Sequence, residues 1–305
     1  MLSYSIIGTG AIGGFYGGRL QQAGRQVRFL LHTDYAYVKE HGLKVDSCDG
    51  NFHLKQVEAY DDTRQMPVSD IVLVCMKSVN NHLLPTLLSP IVTPATVVVL
   101  IQNGIGLEAD LAKAFPQLQI AAGLAFICSG KVGPGHISHQ CYGQINLGNY
   151  STQEERFQLL LSDLQQAGLT ATSVPYAEAR WKKAVWNMPF NGMTVALNTS
   201  TDRLLKNPAT RQLIHRQMME VIGAANALGI SALTEDFADL MLQMTDDMTP
   251  YSPSMKLDFD HQRPMEIPYL YTRPIEEARR AGFDMPCLSM LEAELRFIES
   301  QYRKQ

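Results

Sequence analysis

The sequence predicts an α/β protein, with an N-terminal doubly wound sheet of Rossmann type followed by an all-α C-terminal domain. Three features carry that prediction. Residues 4–14 read Tyr-Ser-Ile-Ile-Gly-Thr-Gly-Ala-Ile-Gly-Gly, an apolar strand running straight into the pattern G-x-G-x-x-G. Short β-branched runs then alternate with helical segments through the first half of the chain. Beyond Ala177 the strand signals fade, and apolar residues recur at three- and four-residue spacings.

The glycines shape the first turn. Gly8 suits a tight exit from the strand, Gly10 leaves the backbone open to a pyrophosphate, and Gly13 lets the next helix pack closely on the sheet. That helix, Ile12 to Gln22 and closed by Gly24, would aim the N–H groups of Ala11, Ile12 and Gly13 at a phosphate. Val27 to Leu31 forms the second strand. Ser69 to Met76 and Thr96 to Ile101 are continuous apolar runs, as parallel strands covered on both faces require. Between Ile120 and Leu147 several short apolar pieces surround the turn Gly133-Pro134-Gly135 and read as late strands, some of them antiparallel. A helix from Gln153 to Gln166, ended by Gly168, closes this domain.

In the second half, Asn207 and Pro208 form an N-cap and first-turn pair for a helix that Gly229 stops. Thr234 caps another helix, and Pro286 begins the last one. The boundary falls near Thr172 to Tyr176, which assigns residues 1–173 to dinucleotide binding and 174–305 to substrate and catalysis, with a cleft between them.

Bulk properties narrow the function. At 305 residues the chain exceeds a comfortable single core. A net charge of −4 argues against nucleic-acid binding. Apolar runs such as Ile71 to Met76 are too short to span a bilayer, and the first residues lack the basic region and unbroken apolar stretch of a signal peptide, so none is expected. Five scattered cysteines (Cys48, Cys75, Cys128, Cys141, Cys287) without C-x-x-C fit free thiols and a cytoplasmic location. His136 and His139 flank a Pro-Gly turn with no metal-spaced partners, so no metal is expected. Asp246 and Asp247 read as a solvated helix end, and Glu292, Glu294, Glu299, Arg296 and Arg303 as exposed faces of the last helix.

Chemistry concentrates in two places. Ligands of a doubly wound sheet bind beyond the carboxyl ends of its strands. There Lys77 and Ser78 follow one strand and Gln102-Asn103-Gly104 another. Lys77 is placed for cofactor phosphate or ribose, and Asn103 for the nicotinamide or the substrate. The second place is Trp181 to Asn191, where Lys183, Asn187 and Asn191 recur at i, i+4, i+8. They form a polar stripe with about 40° of drift per step, while Lys182 lies roughly 140° from Asn187 and faces solvent. Such a stripe on an otherwise apolar helix is costly unless it lines a cleft or is fully hydrogen-bonded. Pro189 interrupts it and should kink the helix.

Taken in order, Gly8-x-Gly10-x-x-Gly13, Lys77, Asn103-Gly104-x-Gly106, Lys183-x-x-x-Asn187-x-x-x-Asn191, Ser254-Met255 with Asp258, and Glu266 resemble the ketopantoate reductase (2-dehydropantoate 2-reductase) family over nearly the whole chain. The resemblance implies NADPH-dependent reduction of ketopantoate, a small 2-keto acid, to pantoate on the route to pantothenate and coenzyme A. It implies Lys183 as general acid. Asn187 and Asn191 would orient the substrate, and Asn103 and Ser254 would hold its polar groups. Glu266 would place the lysine, the substrate hydroxyl or the cofactor. It also admits a homodimer. Thr201 stands where the family would place another asparagine. The family has arginine where this chain has His32, which follows the second strand. His32 can still donate to a 2′-phosphate when protonated. Asp34 satisfies the rule for an acid that reads the ribose of NAD. Thr33 and Asp34, however, are also natural N-caps for a helix over Tyr35 to Glu40. Rival readings are a related reductase of another 2-keto acid or of a sugar-acid phosphate, and a non-catalytic NAD(P)-sensing protein. The first needs extra basic residues if its substrate carries a phosphate. The last has no use for the Lys-Asn-Asn stripe.

Overall fold

The computed structural model describes residues 2–248 and 250–303. Contacts divide the chain into two compact units, Met1–Gln102 with Leu107–Tyr176, and Asn103–Gly106 with Ala177–Gln305. The second unit thus takes in four residues that a single cut after residue 173 leaves with the sheet.

The first unit is built on ten strands: β1 (Ser3–Ile7), β2 (Gln26–Leu30), β3 (Leu43–Ser47), β4 (Phe52–Leu54), β5 (Glu58–Tyr60), β6 (Ile71–Val74), β7 (Val97–Leu100), β8 (Gln119–Gly133), β9 (His136–Asn149) and β10 (Ala171–Val174). They run in the order β4-β3-β9-β8-β7-β6-β1-β2-β5, with β10 pairing along the end of β9. The centre is parallel, β2-β1-β6-β7 and the start of β8. Every residue of β6 and β7 is buried, as their unbroken Ile, Val and Leu runs demand. Helices α1 (Ala11–Gln22), α2 (Tyr35–His41), α3 (Leu84–Leu88), α4 (Leu107–Ala114) and α5 (Glu154–Gln166) complete this unit.

Residues 120–147 differ from the expected string of short strands. They form one long antiparallel hairpin, β8 of 15 residues and β9 of 14, turning at Pro134 and Gly135. Register shifts at Phe126/Ile127, Cys128/Ser129 and Lys131/Gly133 break the two-residue alternation, so the sequence reads as fragments of what is a continuous ladder. Strands β3, β4, β5 and β10 were not expected at all. They are three to five residues long, and LKVDS, FHL, EAY and ATSV hold too few apolar residues for a period to show.

The second unit is helical: α6 (Tyr176–Ala196), α7 (Thr201–Lys206), α8 (Pro208–Ala227), α9 (Glu235–Asp246), α10 (Ser254–Asp260), α11 (Arg273–Arg280) and α12 (Pro286–Tyr302). A π-helical turn, Pro268–Thr272, precedes α11. Asn207 caps α8 by accepting from the N–H groups of Ala209 and Thr210 at 2.9 and 3.3 Å. Thr234 precedes α9 but its side chain makes no capping bond. The core gathers Val185, Met188 and Phe190 of α6 with Ile214 and Val221 of α8, Leu288 and Leu291 of α12, and Ile105 from the short segment 103–106. Helix α6 runs unbroken through Pro189. Asp246, read as solvated, pairs with Arg211 at 2.8 Å. No helix among the described residues is long and apolar enough to cross a membrane.

The three fingerprint glycines meet different surroundings. A Cβ on Gly13 would lie 2.3 Å from the Gly8 carbonyl oxygen and 2.8 Å from Ile6, whereas one on Gly10 would meet nothing within 4 Å. Gly13→Ala should therefore cost about 1–3 kcal/mol, the scale of overpacking. Gly10→Ser, which keeps a good N-cap for α1, should stay within about 0.5 kcal/mol. Urea unfolding of the two variants measures both, and equal losses would contradict the packing assigned to Gly13.

Candidate active site

The carboxyl ends of β1, β2, β6 and β7 carry the first cluster. Gly8 takes φ +95°, and a side chain there would strike the Met76 backbone at 2.5 Å, so only glycine fits. Thr9 ties this loop to the end of β2, its hydroxyl donating to the Leu30 carbonyl at 2.8 Å and its N–H to the same oxygen at 3.3 Å. Gly10 is the N-cap of α1, and the space over its Cα is open. A pyrophosphate could reach the backbone there and meet the first N–H groups of α1, those of Ala11, Ile12 and Gly13. The residues present therefore fit a dinucleotide. Lys77 leads from β6 into a 3-10 turn over Ser78–Leu83. Gln102, at the end of β7, donates to the Met76 carbonyl at 2.7 Å and exchanges hydrogen bonds with Asn81 at 2.7 and 3.2 Å, bracing the Lys77 turn.

His32 is exposed just beyond β2. Asp34 stands at the N-cap position of α2 but makes no capping bond. Its carboxylate instead takes the Lys131 ammonium at 2.6 Å and the Gly135 N–H at 3.0 Å. Burial pushes this carboxyl up, but Lys131, Gly135 and Thr33 outweigh it and hold it below the ordinary range. Asp34 thus clamps the tip of the β8–β9 hairpin. The sequence could not show this, because Lys131 lies 97 residues away.

The second cluster is in the helical unit. Segment 103–106, opened by Asn103, packs on the π-helical turn: the Ile105 N–H donates to the Tyr269 carbonyl at 3.0 Å. Gly104, at φ +117°, lies so close that a Cβ would meet Tyr269 at 2.6 Å. This Asn-Gly pair is therefore a packed feature rather than a free surface turn. Lys183 and Asn187 line a narrow cavity with Arg180, Ala184, Gly104, Ile105, Tyr269, Leu270 and Pro274. Burial and the neighbouring Arg180 guanidinium depress the Lys183 ammonium to about 7, against the opposing pull of the Glu266 carboxylate. Lys182 faces away and pairs with Glu178 at the surface.

Asn191, the third residue of the stripe, is turned to a structural task. Its amide donates to the Asn187 carbonyl at 2.9 Å and accepts the Met255 N–H at 3.0 Å, with 2% of the residue exposed. That bond fixes the start of α10, where Ser254 stands. Asp258, fully buried, takes Arg263 at 2.9 Å. Thr201 donates to the Tyr251 carbonyl at 3.2 Å. Glu299, expected on an exposed face, accepts the Met265 N–H at 2.7 Å and so anchors the residue before Glu266.

Sequence reasoning missed Arg180. It lies one turn before Lys183 on the same helix face, an i, i+3 relation that could have flagged it. Away from the cavity, His136 bonds Asp46 at 2.6 Å. His139 has a cysteine neighbour after all: Cys48 Sγ is 3.8 Å from its Nδ1, and Asp49 lies alongside. The His139 ring nitrogens bond the Ser47 hydroxyl at 2.8 Å and the Tyr142 carbonyl at 3.2 Å.

Comparison with known proteins places this geometry. Residues 4–152 match the family profile described as ketopantoate reductase PanE/ApbA, and residues 176–299 match its C-terminal counterpart. A 2-dehydropantoate 2-reductase of Nostoc sp. is 43% identical, over 98% of this chain and 96% of its own length. The crystal structure of 2-dehydropantoate 2-reductase from Geobacter metallireducens superposes with a TM-score of 0.93 at 36% identity, covering 97% of this chain and 99% of that one. A D-mandelate dehydrogenase solved with NADH and anilino(oxo)acetate shares the fold, with a TM-score of 0.91 at 22% identity and full coverage of both chains. The glycine fingerprint, the lysine-bearing helix and these matches over both halves agree: the chain belongs to the ketopantoate reductase family.

Proposed function

We propose that this protein reduces 2-dehydropantoate to pantoate with NADPH, and that Lys183 is the proton donor. The observation that carries the assignment is Lys183 itself, a lysine lining a cavity beside Asn187 and depressed to about 7. Reduction of a 2-keto acid needs a hydride at the carbonyl carbon and a proton at its oxygen. Bound NADPH supplies the hydride. The Lys183 ammonium would stabilise the charge developing on the oxygen and transfer its proton there, leaving a neutral amine. A proton affinity near neutrality suits that transfer better than that of an ordinary lysine.

Asn187, Asn103 and Ser254 would hold the polar groups of the keto acid, and Glu266 would hold Lys183 in its charged form. Asn191 would act one step back, by fixing the backbone beside Ser254. The dinucleotide would rest on Gly8, Gly10 and Gly13 and on the first N–H groups of α1, with Lys77 and His32 toward phosphate and Asn103 toward nicotinamide or substrate. A homodimer and a cytoplasmic location belong to the same proposal; light scattering tests the first and fractionation the second.

Lys183→Ala should lower kcat by at least ~10², the scale for losing a positioned general acid, and leave NADPH binding in place. Lys182→Ala should be nearly silent. The reverse pattern, measured as NADPH oxidation against a panel of 2-keto acids, would remove Lys183 from this role.

The acid must be protonated to act, so kcat/KM should fall as pH rises through about 7. Glu266 raises the Lys183 pKa, so Glu266→Gln should move that fall to lower pH. A fall that stays put, or moves upward, would show that Glu266 does not act on Lys183.

NADPH should be preferred over NADH by a modest margin, because a partly protonated imidazole grips a 2′-phosphate less firmly than a guanidinium. His32→Arg should widen the margin. Asp34→Ala should lower the melting temperature through loss of the Lys131 and Gly135 bonds without favouring NADPH further. A natural preference for NADH that Asp34→Ala abolishes would instead show Asp34 reading the ribose.

A further inference from the structure

We infer that Arg180 is a specificity-determining residue, whose guanidinium gives the cavity on α6 a second positive charge and selects substrates that bring a carboxylate to it. The inference rests on the reading of Lys183 as proton donor to a 2-keto acid.

Arg180 and Lys183 lie one helical turn apart, and both line the same cavity. Arg180 is 3% exposed, so its charge is withdrawn from water rather than splayed into it. Two cations at i, i+3 on one helix face repel each other, and burial strengthens the repulsion. The charged groups that act on Lys183 are Arg180 from its own helix and Glu266 from the segment that leads into the π-helical turn. Tyr269 lines the same space from that turn, and the Arg273 guanidinium beyond it is engaged by Glu277 at 2.8 Å. The residues that line the cavity thus include two cations, Arg180 and Lys183, while Glu266 acts on Lys183 without lining it. A carboxylate in the cavity would face both cations.

A guanidinium is the suitable group for that anion. Its planar fork matches a carboxylate, and its five N–H donors let it serve a structural partner and a ligand together. Asn187, on the same wall, adds a neutral donor and acceptor. The arrangement also times the proton. Before substrate arrives, Arg180 loosens the Lys183 proton. A carboxylate beside Arg180 offsets that repulsion, so Lys183 is charged when there is a carbonyl to protonate. A substrate without a carboxylate would not offset that repulsion.

The test compares 2-dehydropantoate with its neutral carboxamide as substrates for wild type, Arg180→Met and Arg180→Lys, with NADPH binding followed by fluorescence. In Arg180→Met, KM for the acid should rise roughly 10- to 100-fold, the loss of one charge-assisted hydrogen bond. The carboxamide should change less than about threefold, so that most of the preference for the acid disappears. Arg180→Lys should restore much of that preference. The fall of kcat/KM with pH should move upward in Arg180→Met, because the cation that depresses Lys183 is gone. Equal losses on acid and carboxamide, or an unmoved pH profile, would make Arg180 a structural residue and overturn the inference. Should Arg180→Met fail to fold or to bind NADPH, Arg180→Gln replaces it, and Lys must exceed Gln for the acid but equal it for the carboxamide. Any other order also overturns the inference. A wild-type enzyme that reduces neither compound fails the reading beneath, and this proposal falls with it.

Discussion

The helical unit depends on holding one lysine between a cation and a carboxylate. Lys183 loses proton affinity to burial and to Arg180 and regains some from Glu266, so its usefulness turns on distances. At an effective dielectric near 20, a pair of unit charges is worth about 4 kcal/mol at 4 Å and about 2 kcal/mol at 8 Å. A slip of a few ångströms would therefore move the lysine by more than a full pKa unit. Much of the surrounding hydrogen bonding guards against such a slip. Tyr271, five residues after Glu266, donates to the Met188 carbonyl, five residues after Lys183, at 2.5 Å. Glu299 holds the Met265 N–H on the other side of Glu266. Asn191 pins α10 to α6 through Met255. These groups need not touch a substrate to matter, because each fixes the separation of Lys183 from the carboxylate that supports its charge.

The sheet unit solves a different problem, keeping backbone N–H groups accessible at the end of a buried strand. Its three glycines are not interchangeable. Gly8 is needed for a backbone conformation and for contact with Met76, Gly13 for contact between α1 and β1, and Gly10 for the space left over it. Thr9 and Gln102 then stiffen the frame, one toward β2 and the other across β6 and β7. The loop that meets a phosphate is preorganised by polar side chains that never need to contact it.

The legible parts of the sequence were those whose physics is local. The fingerprint, the buried runs of β6 and β7, the Asn207-Pro208 cap and the polar stripe of α6 each depend on neighbours within a turn or a strand. The parts that could not be read depend on distant partners. Asp34 looked like a cap or a ribose reader because nothing near it in sequence reveals Lys131. Glu299 looked solvated because its partner, the Met265 N–H, is a backbone group 34 residues away. The long β8–β9 hairpin hid behind its register shifts, which scramble the alternation that marks a strand. Arg180 is the exception. It was close enough to be seen, but a charged residue in the first turns of a helix reads as solvent-facing until the packing shows otherwise.

The stripe on α6 shows how one local pattern divides into different tasks. Steps of four residues drift about 40° around a helix, so Lys183 and Asn191 are about 80° apart. Lys183 and Asn187 both face the cavity, whereas Asn191, about 12 Å beyond Lys183 along the axis, reaches the backbone of Met255. The preceding turn fills the place that Asn191 leaves. Arg180, at i−3 from Lys183, lies about 60° round the helix in the same sense as Asn187, and so faces the cavity wall one turn earlier along the axis. The polar face that meets the cavity is thus Arg180-Lys183-Asn187, one turn earlier than the pattern Lys183-Asn187-Asn191 suggests, and it is more cationic than that pattern implies. A cavity with that face selects by charge first and by amide hydrogen bonding second, which suits an enzyme whose substrate is a small anion with few other handles.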